Sequence, residues 1–221
     1  MVVVKYKKIN EGMFFSHLNM IRLWNRILNI SGIEVEYSKG FNKVKKLAFS
    51  SPTRVGVESQ CEYIAFNTQM KAKEVEDRLK HNTPFWLKIE DVCYVEGKFN
   101  VASLNTHARY FLTFEEYKSL KAKVKKFFEQ GSIIIDIILH GEHKKVDVKN
   151  RIYKYELDEK GVDIIAGVGA ESVRIDQFVI KMLEEIGKPH NNYEIVKTEV
   201  YHMEDGELKS IDKILKEKID D

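Results

Sequence analysis

The pattern of apolar and polar residues at the start of the chain predicts a strand followed by a two-faced helix. Residues alternate from Val2 to Lys7, as in a strand with one buried face. Ser16 is a favourable N-cap for a helix that continues to about Ser31, where Gly32 ends it. The apolar face of this helix contains Met20, Leu23, Trp24, Ile27 and Ile30, and the opposite, polar face contains Arg22, Asn25, Arg26 and Asn29.

Alternating and helical repeats predict the remaining elements in both halves of the chain. In the first half, the predicted strands are Ile33–Ser38, Lys46–Ser50, Gln60–Thr68 and Trp86–Val95, and the predicted helix is Ala72–Asn82. In the second half, the predicted strands are His107–Phe114, Ser132–Leu139, Val146–Leu157, Val162–Gly167 and Tyr193–His202. The predicted helices there are Glu115–Gln130 and Ile175–Ile186, and Gly187 ends the second of them.

The order of these elements predicts the fold class. We interpret each half as β-α-β-β-α-β, the order of a ferredoxin-like unit, and therefore expect an α+β fold with two tandem ferredoxin-like units and antiparallel sheets. Residues 1–98 would form the first unit, which carries the basic motif region, and residues 104–203 the second. Residues 204–221 are a charged tail, and the sequence is compatible either with a short helix or with a frayed end there.

The composition indicates a folded protein and narrows the classes of function. The chain has 221 residues, of which 43% are hydrophobic and 32% charged, enough for one large domain or two small ones. No run of 18 apolar residues occurs, so we expect no membrane span. Cys61 and Cys93 lack the spacing of disulfide or metal sites, which favours a reducing, cytoplasmic setting. We expect no cofactor and no metal site.

Basic residues are concentrated in the first quarter of the chain. Residues 1–50 contain nine lysines and arginines against three acids, whereas the rest of the chain has 27 bases and 31 acids. This asymmetry indicates a polyanionic partner. The expected phosphate contacts are Arg22 and Arg26 on the helix and the cluster Lys39, Lys43, Lys45 and Lys46. Phe41 and Asn42, beside Gly40 in a loop, would stack on and hydrogen-bond to a base.

The alternatives to this interpretation involve other anions or no ligand at all. A charged helix face often only contacts water, and a lysine cluster fits RNA, a nucleotide or an acidic protein surface equally well. His17, Lys46 and Glu58 are the candidate catalytic residues of a pocket for a small anionic substrate. The competing interpretations are a partly buried structural histidine and carboxylates that form ordinary salt bridges.

Two further motifs have structural explanations. His140-Gly141-Glu142-His143 follows a strand and lacks the helical spacing and third ligand of a zinc site, so we interpret it as a polar turn. The segment from Gly167 to Ser172 joins a strand to a helix, where phosphate loops occur, but it has no third glycine and contains Glu171. We interpret it as a tight turn, with nucleotide binding as the alternative.

Several short motifs carry a resemblance to a known family. They are Phe15-Ser16-His17-Leu18-Asn19, Arg22, Tyr37-Ser38, Gly40-Phe41-Asn42, Lys46-Leu47, Phe49, Gly56-Val57-Glu58-Ser59 and, with a looser match, Val173-Arg174-Ile175-Asp176. On these residues the chain resembles the radical-SAM-linked protein family, a domain of unknown function, over roughly residues 3–202. Members of that family are encoded beside, or fused to, a radical SAM protein, often near genes for ribosomal proteins and an RNA-processing ribonuclease. The resemblance implies an accessory role connected with RNA modification.

Two positions depart from the family pattern. Lys43-Val44-Lys45 stands where relatives have Pro-His-Pro, and Asn19 stands where they usually have an acid. A function that depends on that histidine in relatives would be missing here. Both changes make the region more basic, which favours anion binding over acid–base chemistry.

The cysteine count indicates that this chain does not itself carry out radical SAM chemistry. That chemistry requires three closely spaced cysteine thiolates around an iron–sulfur cluster, and the two cysteines here are 32 positions apart. The leading hypothesis is therefore an accessory RNA-binding module that presents RNA to a separate radical SAM enzyme. The alternatives are the enzyme with a closed pocket near His17, Lys46 and Glu58, and a protein-binding adaptor with an exposed apolar patch.

Overall fold

A computed structural model describes residues 1–97, 99–139, 141–190 and 192–219. The strands are β1 (Val2–Lys8), β2 (Leu47–Phe49), β3 (Glu58–Phe66), β4 (Leu87–Tyr94), β5 (His107–Phe114), β6 (Ile134–Leu139), β7 (Glu142–Asp147), β8 (Ile152–Leu157), β9 (Val162–Gly167), β10 (Tyr193–Glu204) and β11 (Glu207–Ser210). The helices are α1 (His17–Ile30), α2 (Ala72–Asn82), α3 (Tyr117–Phe128), α4 (Ile175–Ile186) and α5 (Ile211–Ile219). The fold is thus a mixture of helices and a mostly antiparallel sheet.

One nine-stranded sheet runs through both halves of the chain. Its order is β4-β1-β3-β10-β5-β9-β8, with β2 paired to β3 and β11 paired to β10, while β6 and β7 form a separate hairpin. The halves join where β3 and β10 pair in parallel, with Glu58 opposite Val196 and Ser59 opposite Lys197. The other strand pairs are antiparallel.

Two strands, β10 and β2, pair with different parts of β3 along the edge opposite β1. We call the place where they diverge the fork, and it positions the candidate site. β10 pairs with the first residues of β3, whereas β2 pairs with its last three, Ile64 to Phe66. The segment 50–57 leaves the sheet between them, held by the Ser50 N–H that donates to the Tyr63 carbonyl at 2.9 Å. The Gly56 N–H donates to the carbonyl of Met13, also at 2.9 Å. The fork therefore places this loop beside the start of α1.

Two hydrophobic cores lie against the sheet. The smaller core packs Trp24 and Leu28 of α1 and Leu79 of α2 on apolar residues of β1, β3 and β4. The larger core contains Phe128 and Phe178, from α3 and α4, and it extends to α5 and to the opposite faces of β1 and β3. Strands β1 and β3 are consequently buried on both faces, which explains their nearly continuous apolar sequences.

Several predicted elements are confirmed to the residue. The strands His107–Phe114 and Val162–Gly167 have the predicted bounds, the helix expected at about Ala72–Asn82 has these bounds, and the predicted apolar stripe from Ile175 to Ile186 spans α4. Ser16 caps α1 as expected, because its hydroxyl accepts a hydrogen bond from the Asn19 N–H at 3.3 Å. Strong helical or alternating periodicity thus identified these elements without further information.

Three predictions about elements were wrong. The segment 33–38 is not a strand, because alternate residues are buried in an extended loop whose one isolated bridge joins Tyr37 to Lys45. The segment 146–157 is two strands, since the Asp147 carboxylate accepts N–H groups from Ile133 and Lys149, both at 3.0 Å, and ends β7 there. Ile30, predicted on the apolar face of α1, is 58% exposed.

The described part of the charged tail, residues 204–219, is folded. It contains β11 and then α5, which buries Ile211, Ile214 and Leu215. The Tyr63 hydroxyl donates to Asp212 at 2.6 Å and joins α5 to β3. No helix within the described ranges is long and apolar enough to cross a membrane.

Candidate anion-binding groove

Helix α1 presents three different surfaces, because successive residues are rotated by about 100° around its axis. Its buried surface comprises Met20, Trp24, Ile27 and Leu28. Next to this surface, His17, Ile21 and Asn25 line an open groove. Arg22 and Arg26 lie further round the helix and are exposed. Both arginines therefore flank the groove on its solvent side, and neither forms an ion pair with a described residue.

The opposite wall of the groove is a projecting loop that runs from residue 36 to residue 46. Two backbone hydrogen bonds of 2.8 Å close it, from the Ser38 N–H to the Val44 carbonyl and from the Lys46 N–H to the Glu36 carbonyl. Gly40 has a φ of +129°, which a side chain would disfavour, and this turns the chain at the tip. Phe41 at that tip is fully exposed, as a base-stacking side chain requires.

The four lysines of the predicted cluster have different surroundings. Lys45 donates to Asn29 Oδ1 at 2.6 Å and to the Tyr37 hydroxyl at 2.7 Å, so it ties the loop to α1. Lys46 is ion-paired with Glu36. Lys39 and Lys43 are exposed and have no ion pair within the described part of the chain. The last two are thus the lysines best placed to contact a ligand.

The groove between α1, the loop and β2 has a volume of about 760 Å³. Apolar side chains, among them Ile21, Leu47 and Phe49, form part of its lining, and Asn25, Lys43 and Lys45 add polar groups. A pocket of this size accommodates a nucleotide-sized ligand. Its open, basic rim equally allows a longer polyanion to pass through.

His17 lies at the inner end of the groove, where its ring packs edge-on against Phe49 with 5.5 Å between centroids. Burial lowers the pKa of His17, Glu62 acts in the opposite direction, and Lys8 lowers it further. The imidazole is therefore neutral at pH 7 and can both donate and accept a hydrogen bond.

The three predicted catalytic residues, His17, Lys46 and Glu58, do not line the same pocket. Glu58 accepts a 2.6 Å hydrogen bond from the Asn10 N–H, and Lys46 is held by Glu36. Neither is among the residues that line the groove with His17. His17 alone of the three thus faces the concave site.

A buried polar cluster supports the floor of this region. Glu62 and Lys197 form an ion pair of 2.5 Å, Thr53 donates to the same carboxylate, and Lys197 also donates to the Ser51 carbonyl at 3.1 Å. Lys8 is 2% exposed beside them, and burial lowers its pKa. The cluster fills the fork between β2 and β10, and it fixes the segment 50–57 next to His17.

Of the two motifs interpreted as turns, the one at 140–143 includes strand residues and the one at 167–172 is a turn. His140 lies outside the described residues, and His143 and Glu142 are exposed on β7. Within the described ranges, no three His, Cys, Asp or Glu side chains are grouped to hold a metal. The segment 167–172 is a tight turn, in which the Val173 N–H donates to the Gly167 carbonyl at 2.9 Å.

One comparison with known proteins identifies the family. The family model described as an uncharacterized protein conserved in bacteria, DUF2344, matches residues 2–191. The chain belongs to this family. No curated protein matches it.

In this DUF2344 protein, sequence reasoning missed part of the groove and the cluster beneath it. Tyr37 lines the groove but was not a candidate ligand, whereas Asn25 was considered as a polar residue of the basic helix face. Glu62 and Lys197 are 135 positions apart in the sequence, so their pairing is not visible in a local pattern. The one available signal was Glu62 itself, a charge next to the apolar run 63–66.

Proposed function

We propose that this protein is an accessory RNA-binding module that presents RNA to a separate radical SAM enzyme. The observation that carries the proposal is the groove, which combines a basic rim with a fully exposed aromatic ring at the tip of one wall. Phosphates would contact Arg22, Arg26, Lys39 and Lys43, while Phe41 stacks on an unpaired base and Asn42 hydrogen-bonds to it. Lys45 and Lys46 would act mainly by shaping the loop that carries these groups.

We also infer that the two halves are tandem ferredoxin-like units. In chain order within each half, the four main strands have the sheet order 4-1-3-2, as β4-β1-β3-β2 and as β10-β5-β9-β8. The hairpin of β6 and β7 is then an insertion in the second unit. Folds of this class serve binding and catalysis alike, so the functional proposal depends on the groove and not on the topology.

The radical SAM partner and a cytoplasmic location are proposed from the sequence. The family resemblance suggests the partner, and the chain's two cysteines are too few to hold the cluster. Burial raises the pKa of Cys61 to about 12 and that of Cys93 to about 11, so both are protonated thiols at neutral pH. A reducing compartment suits two such free cysteines.

A second candidate function is catalysis on a small anionic substrate. The groove is concave and holds a neutral histidine at its inner end, which favours this candidate. Lys46 and Glu58, however, have partners elsewhere, so the proton transfer would depend on His17. A protein-binding adaptor is the third candidate, and Ile138 and Leu139, exposed on the β6–β7 hairpin, are the apolar surface it would use.

The proposed function is tested by fluorescence-anisotropy titration of transfer RNA and of a single-stranded RNA at two salt concentrations. An RNA module should bind at low salt and lose affinity as salt rises, because binding releases condensed counterions. Absence of binding at low salt would reject the RNA proposal and favour the small-substrate or adaptor candidates.

The exposed ring at the loop tip gives a specific prediction. Phe41→Ala should weaken single-stranded RNA binding by about 5- to 150-fold, the loss of one stacked base. The free energy of unfolding should stay the same, since the ring contacts solvent. Anisotropy and thermal unfolding measure the two quantities.

Phe85→Ala is the matched control, because Phe85 is also exposed but does not line the groove. Equal losses of affinity in the two variants, or no loss in Phe41→Ala, would contradict stacking at the tip.

A further inference from the structure

A second cleft, of about 360 Å³, lies on the other side of His17 and is bounded by both halves of the chain. The first half contributes the start of α1 and the segment 51–55, and the second half contributes Gly169 and Ser172. Its volume is at the lower limit for ligand pockets, so it suits a small group and not a folded nucleic acid.

The lining of this cleft is rich in hydrogen-bond donors. Ser16, Ser51 and Ser172 supply hydroxyls, and His17 and Arg54 supply ring and guanidinium N–H groups. Of the residues described around the cleft, none is acidic. Glu171, the acid in the adjoining turn, is 74% exposed and pairs with Arg151 at 3.3 Å, so a cation already balances its charge.

Arg54, in the lining of the cleft, has unused capacity to bind an anion. Arg54 is half-buried, and its pKa is lowered first by burial and then by the neighbouring Arg174, against opposing effects of Asp176 and Tyr110. Within the described residues, neither guanidinium has an ion pair. Arg174 Nε and Asp176 Oδ1 are both buried without a hydrogen-bond partner. A half-buried guanidinium without an ion pair, such as that of Arg54, can bind an anionic group through charge-assisted hydrogen bonds.

The turn at residue 169 leaves the cleft open. Gly169 has a φ of +71°, and a Cβ there would meet only the Asn105 carbonyl oxygen, at 3.7 Å. The backbone is therefore accessible at this point, and a ligand can approach it closely.

We propose that this cleft binds a phosphomonoester group, with Arg54 as the charge partner and with His17, Ser51 and Ser172 as hydrogen-bonding groups. The ester belongs either to a small phosphorylated metabolite or to the 5′ end of an RNA chain. The second source rests on the proposed function, because His17 lines both the cleft and the RNA groove. An RNA in the groove would then place its terminal phosphate in the cleft.

Isothermal titration with ribose 5-phosphate, and with ribose as the uncharged control, tests the first source. Titration of one RNA octamer, with a 5′-phosphate or a 5′-hydroxyl, tests the second. At least one of the phosphorylated probes should bind about 10- to 100-fold more tightly than its unphosphorylated counterpart. The probe that shows the difference identifies the source.

Arg54→Gln should remove that difference, and Arg54→Lys should keep part of it by retaining the charge. Lys118→Gln is the matched control, since it removes one positive charge from an exposed position of α3 that does not line the cleft, and the phosphate should add as much affinity as in the wild type. The proposal is overturned if the phosphate adds no affinity, or if Arg54→Gln binds both probes as the wild type does. The 5′-hydroxyl octamer has no terminal phosphate and therefore tests RNA binding in the groove alone. If the wild type does not bind this octamer but does bind ribose 5-phosphate, the RNA proposal fails and the phosphate cleft stands.

Discussion

Replacing Glu62 by glutamine is expected to lower the free energy of unfolding by about 3–5 kcal/mol. Glu62 and Lys197 are both buried and are 2.5 Å apart, and Lys8 is buried beside them. The neutral side chain would leave two buried ammonium groups without a counter-charge, which costs far more than the lost hydrogen bond. Urea unfolding at pH 7, monitored by circular dichroism, measures the change.

Two further variants separate the buried charge from general electrostatics. Glu90→Gln removes the partner of Lys7 in a half-exposed ion pair of 2.7 Å, and should cost less than about 1 kcal/mol. The double variant Glu62→Leu/Lys197→Met removes both charges of the pair and leaves only Lys8 without a counter-charge, so it should recover part of the stability. A Glu62→Gln protein as stable as Glu90→Gln would show that the buried pair contributes little.

The same pair predicts how stability depends on pH. Burial alone raises the pKa of Glu62, but the charge of Lys197 and hydrogen bonds from Lys197, Ser59 and Thr53 outweigh it, so the pKa in the folded protein is lowered. The unfolded chain therefore takes up a proton first, at about pH 4.3, and the stabilisation is lost as the pH falls through the folded value. The Glu62→Gln variant has no carboxylate to protonate at this position. The difference in the free energy of unfolding between the variant and the wild type should therefore shrink in acid.

Periodicity predicted most of the fold because it reports which faces of an element are buried. It failed where residues alternate in burial although the segment is not paired in a sheet. Ile33 and Val35 are buried in alternation, yet their segment has no adjacent strand over its length. In the tail, the helical spacing of Ile211, Ile214 and Leu215 was obscured by the surrounding charges.

The candidate site was predictable only as far as it is local in sequence. The sequence placed Phe41 in a glycine-containing loop but left open whether its ring is exposed or packed, whereas the exposure of Arg22 and Arg26 follows from helical geometry. The hydrogen bond that Lys45 donates to Asn29 is a tertiary contact, because it forms only when the loop folds back on α1. Lys197 reaches the site through the parallel pairing of β3 and β10, which no local pattern encodes.

Reversing the charge of both groove arginines is expected to have the largest effect on ligand binding. Arg22→Glu/Arg26→Glu should weaken single-stranded RNA binding at least about 100-fold at 0.1 M salt, because two charged hydrogen bonds become two repulsions. The slope of log affinity against log salt should decrease by about 1.4, the value for two lost phosphate contacts. Anisotropy titrations at four or more salt concentrations measure both quantities.

The stability of this variant should change little, since both side chains are exposed and have no ion pair with a described residue. The matched control is Lys118→Glu/Lys126→Glu, which alters the net charge by the same amount on exposed positions of α3. Long-range electrostatics alone would weaken binding equally in both double variants, since net charge acts on any polyanion. A loss confined to the α1 variant would localise RNA on the groove face, whereas unchanged affinity and slope would exclude that face as the binding site.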